Sequence, residues 1–461
     1  MGRRIKGLFL IIILVGAFVL RLRGITNPLL DNQAWRQADT ASMATHMMEH
    51  LLDFPGVFIP QLNYDGVIPQ NVELEFPFLP YLLAWIWTFF GWSDLWGRLL
   101  SVGLSLLTVW GIYDLGKNVF SERVGLWAAA IYALMPLSIY YGRVVMPEPM
   151  AQAWSIWALA VIWRWRVREK ENGLWKAALL MSGAILAKLP QLMLFPVALL
   201  FGFWPLRRER WGQVSRYSLF VLLPPMVYYL WVHFNVAASS QFVSGILTGQ
   251  VANASQIDWS ILEKNIRHGY TAVVISLSGI GLLRLFLLQS PARIAFLAWA
   301  GISGLYMGVV CARIPLDYYL VPGMFLAALL SAYALDVIPS LPGTVIGLVF
   351  LVLINKGTYA DLTPKYQWDR SYLSQAAWLK NHTDPSAVLL LSDSPPMTLY
   401  YARRVGLRLT SEASAENLKQ WPADYLVRLP QSTQKDIFWA KVRAQYSEVG
   451  PGVFDLKERR E

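Results

Sequence analysis

A single cysteine, Cys311, stands among 461 residues, which excludes an internal disulfide and any CxxC metal or redox motif. Charge is scarce as well. Only 15% of the residues are Asp, Glu, Lys or Arg, against 55% in the hydrophobic set, whereas a soluble domain carries about a quarter charged residues. No soluble core is large enough to hide that much apolar side chain. P-loop, GxGxxG and other nucleotide fingerprints do not occur. Neither does a heptad pattern, a basic stripe, a strong repeat or a low-complexity tract, so coiled coil, nucleic-acid binding and disorder are disfavoured together. What the chain has in excess is apolar and aromatic: 21 each of Trp, Tyr and Phe, set with the aliphatic residues in long blocks. The sequence therefore predicts a polytopic α-helical membrane protein. Its net charge of +10 bears first on topology, because cations settle on the cytoplasmic side.

A hydrocarbon layer about 30 Å thick needs roughly 17–25 mostly apolar residues per crossing helix. About 11 transmembrane helices are expected, at 5–22, 98–116, 124–142, 149–166, 174–188, 189–205, 216–235, 270–288, 292–311, 318–337 and 341–356. Lys188 and Pro190 split one apolar run into two, read as a tight helical hairpin. A further block, Phe76–Trp92, is read as a helix lying in the membrane plane. Pro77 and Pro80 open it, and its crowded aromatics favour the headgroup level. Charge supports that choice. With the block flat, the loops holding Lys117/Arg123, Arg164/Arg166/Arg168/Lys170/Lys176, Arg207/Arg208/Arg210/Arg216 and Arg284/Arg293 share the side of Arg3, Arg4 and Lys6. Only Arg143, Lys188 and Arg313 remain in the short loops opposite. A crossing block would move every later basic loop outside, against the rule.

It follows that 24–97 is a long extracytoplasmic loop and that the turn Arg143–Glu148 and the tail after Lys356 lie on the same side. The N-terminal apolar run lacks a cleavage site and reads as an uncleaved anchor with a cytoplasmic N-terminus. The expected domains are a membrane domain, 1–356, which includes the first outer loop, and a small extracytoplasmic α/β domain, 357–461. In the latter Trp368–Asn381 has helical spacing, Ala387–Asp393 is a buried-strand pattern and Asp424–Leu429 a weaker one.

The first outer loop carries Asp31, Asp39, Glu49, Asp53, Asp65, Glu73, Glu75 and Asp94 against a single Arg36. Solubility of an outer loop explains Glu49, Asp53, Asp65 and Asp94. Asp31 follows the first span at membrane level, where a carboxylate is costly unless used; the alternative is an N-cap for the next helix. Asp39 sits in the middle of the apolar ridge Trp35–Asp39–Met43–Met47–Leu51, either in a catalytic role or ion-paired to Arg36 three residues away. His46 and His50 lack the HExxH glutamate of a metal helix. Glu148, between Pro147 and Pro149, is fixed near the membrane face at the opening of a span, where it also suits the helix dipole. Lys188, Arg143 and the segment Arg313–Tyr319 place cations and tyrosines on this outer face. They suit an anionic partner or simply snorkel at helix ends. Together, two carboxylates from separate outer loops and outer-face cations fit one chemistry: an acceptor hydroxyl is deprotonated and set against a phosphate-linked group from the bilayer.

The stretch LLDNQAWRQADTASMATHMM resembles the first outer loop of GT-C glycosyltransferases, namely bacterial family 39-like members related to protein O-mannosyltransferases and the lipid A aminoarabinose transferase. ELEFPFLPYLLAWIWTFFG is similar to their in-plane helix and YYGRVVMPEPM to their R-x-x-MPE turn. LDYYLVP is similar to a tyrosine-rich segment before a later span, and YYARRVG to a stretch in relatives with the same soluble extension. The resemblance implies an inverting transfer of a sugar from a polyprenyl-phosphate donor on the outer face of a bacterial inner membrane. It implies Asp31 as the essential carboxylate, Glu148 as the second acid, and Arg36 and Asp39 in the donor pocket. Arg143, Lys188, Arg313, Tyr318 and Tyr319 join them as substrate-binding candidates. Two departures stand out. Asp31 is followed by Asn32 where protein O-mannosyltransferases carry Asp-Glu, and the loop spacing leaves Asp31 and Asp39 both open as base, with Asp31 favoured. Oligosaccharyltransferases bind a divalent metal at an acidic motif, but Glu148 has no second acid beside it, so a divalent metal is disfavoured here without being excluded, and no other cofactor is assigned. The acceptor, whether protein, lipid or glycan, is left open. The competing reading is a transporter or flippase of lipid-linked glycans, which should show repeats and helices broken at mid-membrane.

Overall fold

The computed structural model describes residues 3–168, 172–245, 257–287, 292–338, 340–392, 396–409 and 414–459. Lys170 of the basic loop and Asp393 of the expected strand lie outside them. In chain order, α1 (Arg3–Arg21) is followed by α2 (Ala34–Glu49), a ribbon of β1 (Gln61–Leu62) and β2 (Gln70–Asn71), and α3 (Phe78–Phe90). Then come α4 (Asp94–Val119), α5 (Glu122–Leu134), α6 (Pro136–Tyr141), α7 (Glu148–Arg168), α8 (Gly173–Ala187), α9 (Phe195–Phe203) and α10 (Trp211–Phe234). The helical tract continues with α11 (Phe242–Gly245), α12 (Trp259–Tyr270), α13 (Ala272–Leu285), α14 (Ala292–Tyr306), α15 (Met324–Leu335) and α16 (Ser340–Leu362). The tail supplies α17 (Ser371–His382), β3 (Val388–Leu391), α18 (Pro396–Ala402), β4 (Val405–Arg408), β5 (Tyr425–Val427), α19 (Asp436–Gln445), β6 (Tyr446–Gly450) and β7 (Val453–Arg459).

The chain divides into two compact units. One comprises Met1–Thr26, Leu95–Phe234 and Phe242–Lys365, the other Asn27–Asp94, Asn235–Gln241 and Tyr366–Glu461. The first outer loop therefore groups with the tail rather than with the spans, a division that the apolar runs alone do not reveal.

The first unit is helical. Its helices start and stop where the sequence supplies reasons. The Ser121 side chain accepts the Val124 N–H and opens α5. Pro136, which has no N–H to give, ends α5 and begins α6, so the run 124–142 is two helices rather than one. Lys188 is extended after α8, and a 3-10 turn, Leu189–Leu194, leads into α9. Helices α8 and α9 each pack on α7, so the apolar run is interrupted by six residues of 3-10 turn instead of a tight hairpin tip. Thr271, at φ 71°, turns α12 into α13 through 94° and caps α13 by accepting from Val274 N. Glycine matters at Gly281, where a Cβ would run into the backbone of Leu330 on α15. Among the described residues five helices are long and apolar enough to cross a membrane by themselves, or six with the bent α12–α13 pair taken as one span. Of the remaining expected spans, 124–142 and the pair 174–188 and 189–205 are shortened by the breaks just described, whereas α1 and α7 run unbroken for 19 and 21 residues.

Contacts within this unit sort its helix ends into two sets. At one end Arg164 Nη1 donates to Asp114 Oδ2 at 2.7 Å, Arg123 Nη1 to Ile338 O at 2.7 Å, and Arg284 lies over the Tyr333 ring at 4.1 Å. This is the cation-rich end. The other end gathers Gly24, Tyr140–Glu148, Lys188, Asp317–Tyr319 and Lys365.

The second unit is built on a five-stranded sheet of order β4-β3-β5-β7-β6. Strand β3 is parallel to both β4 and β5, while β7 runs antiparallel to β5 and β6. The central VLLL of β3 is a continuous apolar run because both faces are covered. On one face Leu390, Leu426 and Phe454 pack with Trp439 and Val442 of α19. The free edge of β4 is closed by the first loop: Gly406 N donates to Asn63 O at 2.8 Å and Gly66 N to Gly406 O at 3.4 Å. Helix α18 packs on α2, and α2 on α3.

At 13 residues, α3 is about 20 Å long and too short for a bilayer core. It buries Leu79, Leu83, Ala84 and Trp87 and leaves Leu82, Phe89 and Phe90 exposed.

Candidate functional site

In the second unit, Asp31 is buried, 2% exposed, in the turn that leads into α2. It does not cap that helix. The cap position is Gln33, held at φ 62° without a side-chain bond, a left-handed conformation that costs a non-glycine residue energy. Gln37, one turn into α2, instead reaches back, its Nε2 donating to Asp31 Oδ1 at 2.7 Å and to Asn32 O at 3.1 Å. A neutral amide thus fixes the carboxylate's direction while leaving it an acceptor.

Arg36 and Asp39 take separate partners. Arg36 Nη2 donates to both oxygens of Glu75, at 3.0 and 3.1 Å, with both side chains largely enclosed. Asp39, 2% exposed, accepts from Tyr64 Oη at 3.4 Å, and its Oδ1 has no hydrogen-bond partner among the described residues. Burial pushes the Asp39 carboxyl up to about 7, against the opposing pull of the Arg36 charge. Burial and the Asp39 charge push the Tyr64 phenol well up too. Arg408 of β4 stacks over Tyr64 at 5.2 Å and pairs with Asp65. Asp65 and Asp94 are therefore more than solubilising acids. Asp94 accepts from Tyr400 Oη at 2.7 Å and Tyr401 Oη at 2.6 Å, which gives the YYARRVG stretch a structural task. His46 bonds Asn63 and His50 bonds Asp53.

The first unit holds the other candidates. Glu148, the first residue of α7, is 3% exposed and lies 3.1 Å from Lys188 Nζ, itself 5% exposed. Lys188 also sits over the Tyr318 ring at 5.2 Å. Beside this pair, Tyr141 Oη donates to Asp317 Oδ1 at 2.5 Å, Lys365 pairs with Asp317, and Lys365 lies over Tyr140 at 5.7 Å. Tyr318 and Tyr319 pack ring to ring. Arg143, fully buried, donates from Nη1 to Gly24 O at 3.0 Å and covers Tyr140. Arg21 anchors the same end, its Nε and Nη2 each 2.7 Å from Ser105 Oγ and Ser138 Oγ. Gly142 is pressed so close to Arg21 and Ser105 that a Cβ there would collide with both. A small cavity beside Glu148 is lined by Ser105, Thr108, Tyr132, Tyr141 and Gln152. Arg313 is drawn elsewhere: its Nη1 donates to Gly308 O and Val309 O, in the π-helical turn before it.

The structure thus brings Glu148, Lys188 and Tyr318 together, with Tyr319 packed on Tyr318. It ties Arg143 into the backbone of the same end, while Asp31, in the turn before α2, accepts from Gln37 and Asp39, within α2, accepts from Tyr64. Sequence reasoning missed Glu75, Tyr64, Arg408 and Lys365 as partners. Asp317 stood inside a motif already singled out, and it was passed over for its tyrosine neighbours. Glu148, already ion-paired to Lys188, supplies no set of donors for a metal, and among the described residues no three His, Cys, Asp or Glu side chains cluster to hold one.

Residues 75–231 match the family of dolichyl-phosphate-mannose-protein mannosyltransferases. Among solved structures, ArnT from Cupriavidus metallidurans bound to undecaprenyl phosphate is similar at a TM-score of 0.70 and 12% identity, with 98% of each chain covered. The Archaeoglobus fulgidus oligosaccharyltransferase in the apo form is similar at 0.64 and 12% identity over 90% of this chain and 66% of that one. The arabinofuranosyltransferase AftD from Mycobacteria matches at 0.57 and 15% identity, over 93% of this chain and 37% of its own. The chain therefore spans just under two thirds of that oligosaccharyltransferase and nearly all of ArnT. No curated protein matches it. The fold is that of GT-C membrane glycosyltransferases. Within that class the chain resembles the protein mannosyltransferase and ArnT types.

Proposed function

We propose that the protein is an inverting glycosyltransferase that moves a sugar from a polyprenyl-phosphate donor to an acceptor hydroxyl on the extracytoplasmic face of the membrane. The observation that carries this reading is Asp31: an enclosed carboxylate in the turn before α2, whose Oδ1 accepts from the neutral Gln37 amide. In the step proposed, Asp31 takes the proton of the acceptor hydroxyl as the oxygen attacks the anomeric carbon. The bond from that carbon to the phosphate oxygen breaks on the opposite face, configuration inverts, and polyprenyl phosphate leaves with the bonding pair. Charge gathering on the phosphate calls for fixed cations. Lys188, oriented by Glu148 and Tyr318, and Arg143 are the groups we assign to it. Asp39, with its carboxyl near neutrality, is the second candidate for proton transfer, and the Arg36–Glu75 pair holds its helix turn.

Two features support the placement. The cation-rich helix ends and the Glu148 end lie at opposite ends of the helical unit, as eleven crossings with an in-plane α3 would require, and the first set suits the cytoplasmic side of a bacterial inner membrane. The breaks at Lys188 and Thr271 both fall at the Glu148 end: Tyr270 Oη donates to Leu320 O, and Thr358 Oγ1 to Leu134 O. A transporter would place such breaks at mid-bundle, so transfer is favoured over transport. ArnT is described with undecaprenyl phosphate bound, a lipid of the class proposed for the donor. The test is a panel of radiolabelled polyprenyl-phosphate sugars presented to vesicles containing the protein, with NMR of the product. Label should leave one lipid and appear with inverted anomeric configuration. Retention of configuration would refute the direct displacement.

A further inference from the structure

Gln152 stands on α7 one turn beyond Glu148, so the two share a face of the helix, about 6 Å apart along its axis. It is 3% exposed, and among the described residues neither its Nε2 nor its Oε1 has a hydrogen-bond partner. A glutamine inside a membrane bundle ordinarily bonds across to a neighbouring helix. This one lines the cavity beside Glu148, which measures about 10 Å³ and has room for about one water-sized group. The other polar side chains around that cavity are each engaged. Ser105 and Ser138 accept from Arg21, Thr108 donates to Leu104 O, Tyr132 bonds Ser138, Tyr141 donates to Asp317 and Glu148 faces Lys188. A buried amide with nothing to bond destabilises the folded chain. A ligand group that enters the cavity would complete it.

We infer that Gln152 is a substrate-binding residue that holds one hydroxyl group of the donor sugar. The amide itself selects that class of group. It offers a donor and an acceptor side by side, and a hydroxyl, which both accepts and donates, uses the two together. A phosphate oxygen only accepts, so it would leave Oε1 unsatisfied, and it would bring a second negative charge toward the Glu148 carboxylate. The inference rests on the polyprenyl-phosphate sugar proposed above: with the phosphate at Lys188, the attached sugar is the hydroxyl-bearing part of the donor within a helical turn of Gln152. It adds a source of selectivity, because a site that bonds a hydroxyl rejects a sugar that lacks it.

Native mass spectrometry of the full-length protein in detergent tests the inference, with undecaprenyl-phosphate mannose, glucose and arabinose each set against undecaprenyl phosphate. The wild type should bind at least one sugar lipid more tightly than the plain one. Gln152→Leu should weaken that lipid's binding about tenfold and leave undecaprenyl phosphate unchanged. The unliganded variant should melt no lower than the wild type, because an unsatisfied amide has given way to a side chain suited to the interior. Gln152→Met, a second apolar replacement, should behave in the same way. No preference for any sugar lipid in the wild type, an unchanged affinity in the variants, or an equal loss for sugar lipid and plain lipid would overturn the assignment. So would a lower melting temperature in both variants, the outcome expected if the amide only holds a structural water. A wild type that binds no polyprenyl phosphate at all would refute the donor itself, a failure distinct from these.

Discussion

Two kinds of enclosed or half-enclosed carboxylate occupy the two units, and the partners described for them differ. In the helical unit Glu148 and Asp317 face ammonium groups, Lys188 and Lys365. In the loop-and-tail unit Asp31 accepts from the amide of Gln37 and Asp39 from the hydroxyl of Tyr64. A carboxylate paired with an enclosed ammonium group fixes where that cation lies. Asp31 and Asp39 each accept from a neutral side chain, and the Arg36 and Arg408 charges also act on Asp39. On the function proposed above, Glu148 and Asp317 would position their lysines, and Asp31 and Asp39 are the candidates for proton transfer. The difference in partners also shows that the acids most conspicuous in the sequence are not equivalent.

The sharpest way to break this comparison is to remove one member of the enclosed ion pair. Lys188→Met strands Glu148 in a buried site and should cost about 3–5 kcal/mol of stability, measured by thermal unfolding of the protein in nanodiscs. Adding Glu148→Leu should return most of that loss. If Lys188→Met alone is neutral, Glu148 is not held by it and the positioning role fails.

A smaller effect is expected in the other unit. Asp94→Asn weakens two hydrogen bonds from Tyr400 and Tyr401 to a charged acceptor, worth about 1.5–3 kcal/mol each when lost outright. Hydrogen exchange in α18 and in α2, which packs on it, should speed up, with the helical unit unchanged. Uniform acceleration through both units would mean that Asp94 does not act locally.

The pattern of helices was legible because long apolar blocks declare themselves, and β3 because VLLL between turn residues can be only a buried strand or a short helix. The partners were not legible. Arg36 and Glu75 are 39 positions apart, and Tyr401 and Asp94 are 307. Nothing local to either residue specifies the other. Asp94 was assigned to solvation because an outer loop tolerates acids, yet the tail brings two phenols to it. The capping alternative for Asp31 was sound by propensity and lost to Gln33, which takes the cap position in a left-handed conformation that sequence preference disfavours. The break at Met135 was signalled by Pro136, but an apolar run on both sides outweighed it.

The smallest effect is a pH dependence. Asp39 titrates near 7 in the folded protein, against 3.8 for its ordinary value, so folding favours its protonated form. Its contribution to stability is full below the unfolded value and is lost as pH rises through about 7. Stability of α2, read from exchange protection corrected for the intrinsic pH dependence of exchange, should therefore fall between the unfolded value of 3.8 and about 7 and level off above it, and Asp39→Asn should flatten the curve. A slope of the opposite sign, or one unaltered by the substitution, would show that another group titrates.

The most direct measurement compares wild-type and Asp31→Asn protein in parallel vesicles, following labelled sugar out of its polyprenyl-phosphate carrier. Transfer by the wild type should fall by about a thousandfold or more in the variant, within the range for loss of a general base, while both proteins melt at the same temperature. Equal transfer by the two would contradict Asp31 as the base, and no transfer by the wild type from any polyprenyl-phosphate sugar would contradict the assignment of the donor.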